Sequence, residues 1–224
     1  MSISEIIETR DNKHLVDLKL ASDEELQKLL KYFSEGSKEL EICLNTLWKN
    51  KLYTKACCKG HLLEEKDWKF PYPNAYISME DKVDVFSYLS VELIENPLIL
   101  LYDFDRCQSI YFFGNDKEKY ILKFAQDILS GKKDNEIYLN NKINKNMNLE
   151  LRRKCYRDYY LKSGLNNDEI EKIDEINYQL YLLDAKNITI EDIQRQNELC
   201  EQYNQIINEC KNRSIKSKKK CQVT

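Results

Sequence analysis

Strand-like runs occupy only one part of this 224-residue chain, and their uneven distribution is what most constrains the fold. Short β-rich runs occur up to residue 113, whereas residues 147–212 show only helical patterns. The sequence therefore predicts an α+β fold, with a four-stranded, mostly antiparallel sheet, helices on one face and a C-terminal helical hairpin. The chain has five glycines and three prolines, which are few for this length and disfavour sandwiches and barrels with many turns.

The same change of pattern predicts the domain organisation. A stretch rich in lysine and asparagine separates the strand-containing part from the helical part, and the end of the chain is basic. The predicted parts are an α+β domain over 1–131, a linker over 132–146, a helical hairpin region over 147–212 and a basic disordered tail over 213–224.

Local signals predict the element order α-α-β-β-α-β-β-α in the first domain. Ser22 and Glu25 form a capping box that opens the first helix, and Asn96-Pro97 ends the helix before the third strand. The predicted strands are 52–57, 75–79, 98–104 and 108–113, and the helix between the second and third strands is predicted over 80–95.

The segment Thr54-Lys-Ala-Cys-Cys-Lys-Gly-His61 puts two thiols, a glycine and a histidine at the end of the first strand. A right-handed crossover places this end at the same sheet edge as the helix that starts after Gly114, with Cys107 at the opposite edge. Free N–H groups at a helix N-terminus and nearby cations can hold an anion. The candidate residues for a ligand or anion are Lys55, Cys58, Lys59, Gly60, His61 and Asn115.

Three other interpretations of this segment stay open. In the simplest, one cysteine belongs to the core and the other is half exposed, while Gly60 makes a left-handed turn and His61 caps it. In the second, a cysteine acts as a nucleophile with His61 as its base, although no orienting third group follows from the sequence. The third is a metal site of Cys57, Cys58 and His61. Structural zinc needs four ligands and adjacent strand residues point to opposite faces, so neither a metal nor another cofactor is expected.

Two short stretches of the first domain resemble a pattern found in other proteins. Cys58-Lys-Gly-His61, followed after a loop by Ala75-Tyr-Ile-Ser78, resembles small uncharacterised proteins of bacteria and their phages. The resemblance covers about residues 40–113 and carries no established activity. It implies a phage or mobile-element context.

A loop with three aromatic residues is a second candidate surface. Asp67-Trp-Lys-Phe-Pro-Tyr-Pro73 offers Trp68, Phe70 and Tyr72, which could stack on bases or anchor a partner protein. Alternatively, the loop folds back and buries its aromatic rings on the sheet.

The C-terminal tail is the third candidate. It holds six basic and no acidic residues from Lys211 onward, including Lys218, Lys219 and Lys220, and such a run could hold nucleic-acid phosphates. Cys221 stands fourth from the end, as in a prenylation signal, and membrane binding is not expected unless it carries a lipid. The heptad-like stripe of the last helix also allows a homodimer.

The sequence excludes several enzyme classes. It contains no Walker loop, dinucleotide fingerprint, H-E-x-x-H or G-x-S-x-G motif. The net charge of −3 and the absence of a signal peptide or an 18-residue apolar span predict a cytoplasmic protein with reduced cysteines. We therefore expect a phage or mobile-element type binding protein that occupies a surface of a protein or nucleoprotein partner, as an inhibitor or accessory factor. The alternative is a Cys/His-centred enzyme or a binder of a small phosphorylated ligand.

Overall fold

The computed structural model describes residues 8–10, 13–15, 18–61, 74–104, 107–184 and 189–221. The chain divides into two compact units. The first takes its described residues from 1–60 and 74–148, and the second from 61–73 and 149–224.

The first unit contains the predicted α+β domain, and its elements follow the predicted order apart from a short N-terminal strand pair and the region after β4. Ser22 and Glu25 form the expected capping box, with the Ser22 backbone N–H donating to the Glu25 carboxylate at 2.8 Å. The elements are β1 (Glu8–Arg10), β2 (Lys13–Leu15), α1 (Asp23–Phe33), α2 (Lys38–Lys49), β3 (Thr54–Cys58), β4 (Ala75–Met79), a 3-10 turn (Phe86–Tyr88), α3 (Val91–Glu95), β5 (Ile99–Phe104), β6 (Cys107–Phe112), α4 (Lys117–Leu129) and α5 (Glu136–Lys142).

Four of the strands form one antiparallel sheet in the order β3-β4-β6-β5, which confirms the predicted fold class. Alternate residues of these strands point to one side and join the helices in the core. There α2 and α4 pack against each other. The sheet residues of this core are all 1% exposed or less: Ala75, Ile77, Met79, Ile99, Leu101, Ile110 and Phe112.

Asn144 covers the outer edge of β5. Its backbone N–H donates to the Leu101 carbonyl at 2.8 Å, and its side chain accepts from the Asp103 N–H at 2.9 Å and donates to the Asp103 carbonyl at 3.2 Å. Asn144 has a φ of 58°, a left-handed conformation that asparagine tolerates better than most residues. An otherwise open strand edge is thereby closed within the unit.

The helix predicted over residues 80–95 is wrong for half of its length. Only the 3-10 turn and the five-residue α3 are helical there. The Gln108 side-chain oxygen accepts from the N–H groups of Val85 and Phe86 at 2.8 and 3.0 Å. Side chains elsewhere in the fold thus bind backbone groups that a helix would have used internally.

Residues 132–146 were predicted to be a linker. In the structure they contain a helix and belong to the first unit. The segment holds α5 and the buried Asn135, whose side-chain amide donates to the carbonyls of Phe86 and Leu89 at 3.0 and 2.6 Å. Most of its polar residues are exposed, whereas Asn135 is buried and bound to the fold.

The second unit consists of three helices in its described part, α6 (Leu149–Lys162), α7 (Asn167–Asp184) and α8 (Ile190–Cys221). The predicted C-terminal helical region is present. Tyr159 and Tyr160 of α6 pack with Ile170 and Ile173 of α7 and with Ile207 of α8. Residues from 213 onward were predicted to be a disordered tail. In the structure α8 continues through this segment to Cys221.

Among the helices of the described residues, none combines the length and the apolar character that crossing a membrane requires.

Candidate functional site

The sheet register confirms where the strand end with Cys57 and Cys58 lies. Cys58 pairs with Tyr76, and Tyr76 pairs with Tyr111 near the end of β6, so both strand ends share one edge of the sheet. Cys107 lies at the opposite edge, where its thiol contacts the carbonyl of Met79 at 3.1 Å. The edge at Tyr76 and Tyr111 holds the predicted candidate Cys58 at the end of β3 and the residues that follow β6.

The two adjacent cysteines point to opposite faces of the sheet. Cys57 packs against the core, and its thiol donates to the Phe33 carbonyl at 3.5 Å, whereas Cys58 lies on the other face. Burial raises the pKa of Cys57 to about 12 and that of Cys58 to about 11. Both thiols are therefore protonated at neutral pH, which disfavours a nucleophile. Their opposite directions disfavour a joint pair of metal ligands.

A carboxylate already occupies the turn where an anion was expected. Glu35, directly after α1, accepts the Lys59 backbone N–H at 3.0 Å and lies within 4.8 Å of the Cys58 thiol. The Gly60 N–H donates instead to the Cys58 sulfur at 3.3 Å, and Gly60 has the predicted left-handed φ of 80°. A bound phosphate would meet the negative charge of Glu35, so the geometry disfavours the anion site.

Of the two remaining candidates in the first unit, Asn115 follows β6 at this edge, whereas Lys55 does not lie there. Lys55 lies toward the opposite end of β3, with its ammonium 3.8 Å from the Asp81 carboxylate. Asn115 is exposed, and α4 begins two residues later with Asp116 as its N-cap residue. The positive charge of Lys117 lies near enough to Cys58 to lower the pKa of that thiol, against the larger effect of burial. This lysine was not among the sequence candidates.

His61 is the first residue of the second unit and is 3% exposed. Its backbone carbonyl accepts a hydrogen bond of 2.8 Å from the Tyr159 hydroxyl of α6. The backbone of His61 therefore has a structural contact within its own unit.

Two sets of candidates extend beyond what the structure describes. Trp68, Phe70 and Tyr72 lie outside the described residues. Lys218, Lys219 and Lys220 belong to the end of α8, where the structure describes the backbone as helical.

The outer face of the sheet is the feature that sequence reasoning missed. Two cross-strand rows run over all four strands on the side opposite the core helices. One row is Cys58, Tyr76, Tyr111 and Leu100, and the other is Ala56, Ser78, Ser109 and Tyr102. Neither row contains a charged residue. We call the three tyrosines and two serines of these rows the tyrosine face.

The tyrosine face is internally ordered. The rings of Tyr76 and Tyr111 stack with centroids 5.6 Å apart, and Tyr102 meets Tyr111 edge-on at 5.5 Å. The hydroxyls of Ser78 and Ser109 bond each other at 2.8 Å. All five residues are half-buried. Burial raises the pKa of Tyr76 to about 12, so the face stays uncharged at neutral pH.

The alternation of the strands contained a signal for this face. Tyr76-Ile77-Ser78 and Ser109-Ile110-Tyr111 both place apolar isoleucines between hydroxyl-bearing residues, which indicates one core face and one amphipathic face. Glu35 carried no such signal, because only the fold brings the end of α1 to the end of β3.

The chain matches no protein-family model, no curated protein and no solved structure.

Proposed function

We propose that this chain is a binding protein of phage or mobile-element type that occupies a surface of a protein or nucleoprotein partner. The observation that carries the proposal is the uncharged tyrosine face. The resemblance of residues 40–113 to small bacterial and phage proteins supplies the context.

The composition of the tyrosine face supports a binding role. Tyrosine provides large, rigid contact area at small entropic cost and is enriched among residues that dominate interface energies. Serines between such rings add adaptable hydrogen bonds, and antibody paratopes use the same pair of residue types. Tyr76, Tyr102 and Tyr111 are fixed by one another, so little side-chain freedom remains to be lost on binding.

The alternative, a Cys/His-centred enzyme or a binder of a small phosphorylated ligand, has less support. The thiols of Cys57 and Cys58 are protonated at neutral pH, and Glu35 occupies the turn that an anion would need.

The test uses the full chain as immobilised bait in an extract of the cells that produce it. Quantitative mass spectrometry would compare wild type with a Tyr76→Ala/Tyr111→Ala variant. The control is Tyr178→Ala, which removes a tyrosine that is 45% exposed on α7. Loss of two anchors that each contribute about 2 kcal/mol would reduce retention of the partner by tenfold or more.

A partner retained by wild type and by the control, and lost with the double variant, supports the proposal. Parallel samples treated with nuclease distinguish a protein from a nucleoprotein partner. Circular dichroism must show that the variant is folded. A folded double variant that retains every partner of wild type would refute the binding role of this face.

A further inference from the structure

The two long helices of the second unit form an open groove with acidic residues along it. Helices α7 and α8 are antiparallel, as the pairing of Arg195 with Gln179 and of Arg213 with Glu169 requires. Between them lies a cavity of about 730 Å³. The buried side chains of Ile176 and Leu199 form part of its lining.

The charged residues that line this groove are predominantly acidic. Four carboxylates, Asp168, Glu171, Glu175 and Glu209, contribute to its lining. They are accompanied by two cations, Lys172 and Arg195, and the Arg195 guanidinium already contacts Glu198 at 3.1 Å. A nucleic acid would be repelled here, whereas a cationic helical segment with a few apolar atoms would be complementary.

The chain itself carries such a segment at the end of α8. Residues 211–221 include six basic residues, no acidic residue and one large apolar residue, Ile215. The segment is part of the same continuous helix that lines the groove through Leu199 and Glu209. At 1.5 Å per residue, Lys218 lies about 14 Å further along the axis than Glu209. A continuous helix cannot fold back on itself, so this segment cannot enter the groove of its own chain.

We propose that the groove between α7 and α8 binds the basic end of α8 from a second copy of this chain. Each copy offers one acidic groove and one basic helix end, so reciprocal exchange closes a two-fold dimer. The exchange places Lys216, Lys218, Lys219 and Lys220 of each chain opposite the acidic groove of its partner. The inference concerns the second unit alone and does not depend on the tyrosine face.

The test reverses the charges of the groove and of the basic helix end by mutation and measures the dimer of the full chain by sedimentation velocity. Wild type should be a dimer that weakens as salt is raised, because screening reduces the attraction between opposite charges. The groove variant Glu171→Lys/Glu175→Lys and the tail variant Lys218→Glu/Lys219→Glu/Lys220→Glu should each raise the dimer Kd by roughly tenfold or more. The combined variant carries both reversals and should recover the dimer.

Glu95→Lys/Glu136→Lys is the matched control, since it makes the same charge change as the groove variant at exposed positions of the first unit. This control should leave the dimer unchanged. A wild type that is monomeric over the accessible concentration range, a dimer that survives both reversals, or a combined variant that stays monomeric would each overturn the proposal.

Discussion

The carboxylate of Asp127 accepts a hydrogen bond of 2.7 Å from the backbone N–H of Ser90, which lies 37 residues earlier in the chain. Ser90 is the N-cap residue of α3 and makes no cap bond with its own side chain. Asp127, on α4, therefore satisfies an N-terminal donor of a different helix. Two lysines, Lys123 and Lys133, pair with this buried carboxylate at 3.5 and 3.8 Å.

Replacing Asp127 should destabilise the first unit strongly. Asp127→Ala removes a charged acceptor from a part-buried N–H and takes one carboxylate partner from each of two lysines, so we expect a loss of about 2–3 kcal/mol. Urea denaturation followed by circular dichroism measures the loss. Asp116→Ala is the control, because Asp116 is exposed on the same helix and makes no side-chain cap bond. Equal losses for the two variants would contradict the assigned role.

Asn144 should show separable effects of its side chain and its backbone conformation. Asn144→Gly keeps the left-handed φ of 58° accessible but deletes the two side-chain bonds to Asp103. We expect a loss of about 1 kcal/mol for two solvent-exposed bonds. Asn144→Ala should lose about 1 kcal/mol more, because a Cβ disfavours this conformation.

Hydrogen exchange at the Asp103 amide is the direct readout for Asn144. Its protection should fall in Asn144→Gly, since the amide loses its acceptor, while the Leu101 amide in the centre of β5 should change less. An unchanged exchange rate at Asp103 would show that the β5 edge does not depend on this asparagine.

The cysteines should differ in reactivity in the folded state. The pKa of Cys58 is about 11, so only on the order of one molecule in a thousand carries its thiolate at pH 8, and the fraction is smaller still for Cys57. Cys200 is exposed on α8. A short pulse of iodoacetamide followed by peptide mass spectrometry should label Cys200 first. Rapid labelling of Cys57 or Cys58 would restore the case for a reactive site.

The raised pKa of the Cys57 thiol predicts a loss of stability at alkaline pH. Burial raises the pKa of Cys57 from 9.0 to about 12, so above pH 9 the unfolded chain releases a proton that the folded chain retains. Stability is then fully present below pH 9 and falls until about pH 12. Urea unfolding at pH 8, 9 and 10 should give a shallower fall for Cys57→Ala than for wild type. Cys200→Ala, at an exposed site, should follow wild type.

Local signals were sufficient to predict most of the first unit. The capping box of Ser22 and Glu25, the alternation in Ala75–Met79 and the apolar stripe of α4 depend on neighbours in sequence, and each produced the expected element. The shared edge of β3 and β6 also followed, because the handedness of the connection restricts how the strands can run.

The failures share a physical cause, which is competition from distant side chains. Residues 80–95 have a helical pattern, but Gln108, Asp127 and Asn135 bind their backbone groups. Glu35 takes the Lys59 N–H in the same way and disfavours the anion site that the sequence suggested. No local pattern reports such partners, so the sequence predicted the fold class but not the side chains that surround the candidate site.

The partners that hold residues 85–90 have a further consequence during synthesis. Gln108, Asp127 and Asn135 all follow the segment in the chain, and Asn135 emerges about 2–9 seconds after Ser90 at ordinary translation rates. A short helix forms within about a microsecond. Any helix that the nascent segment forms must therefore open when these later residues bind its backbone groups.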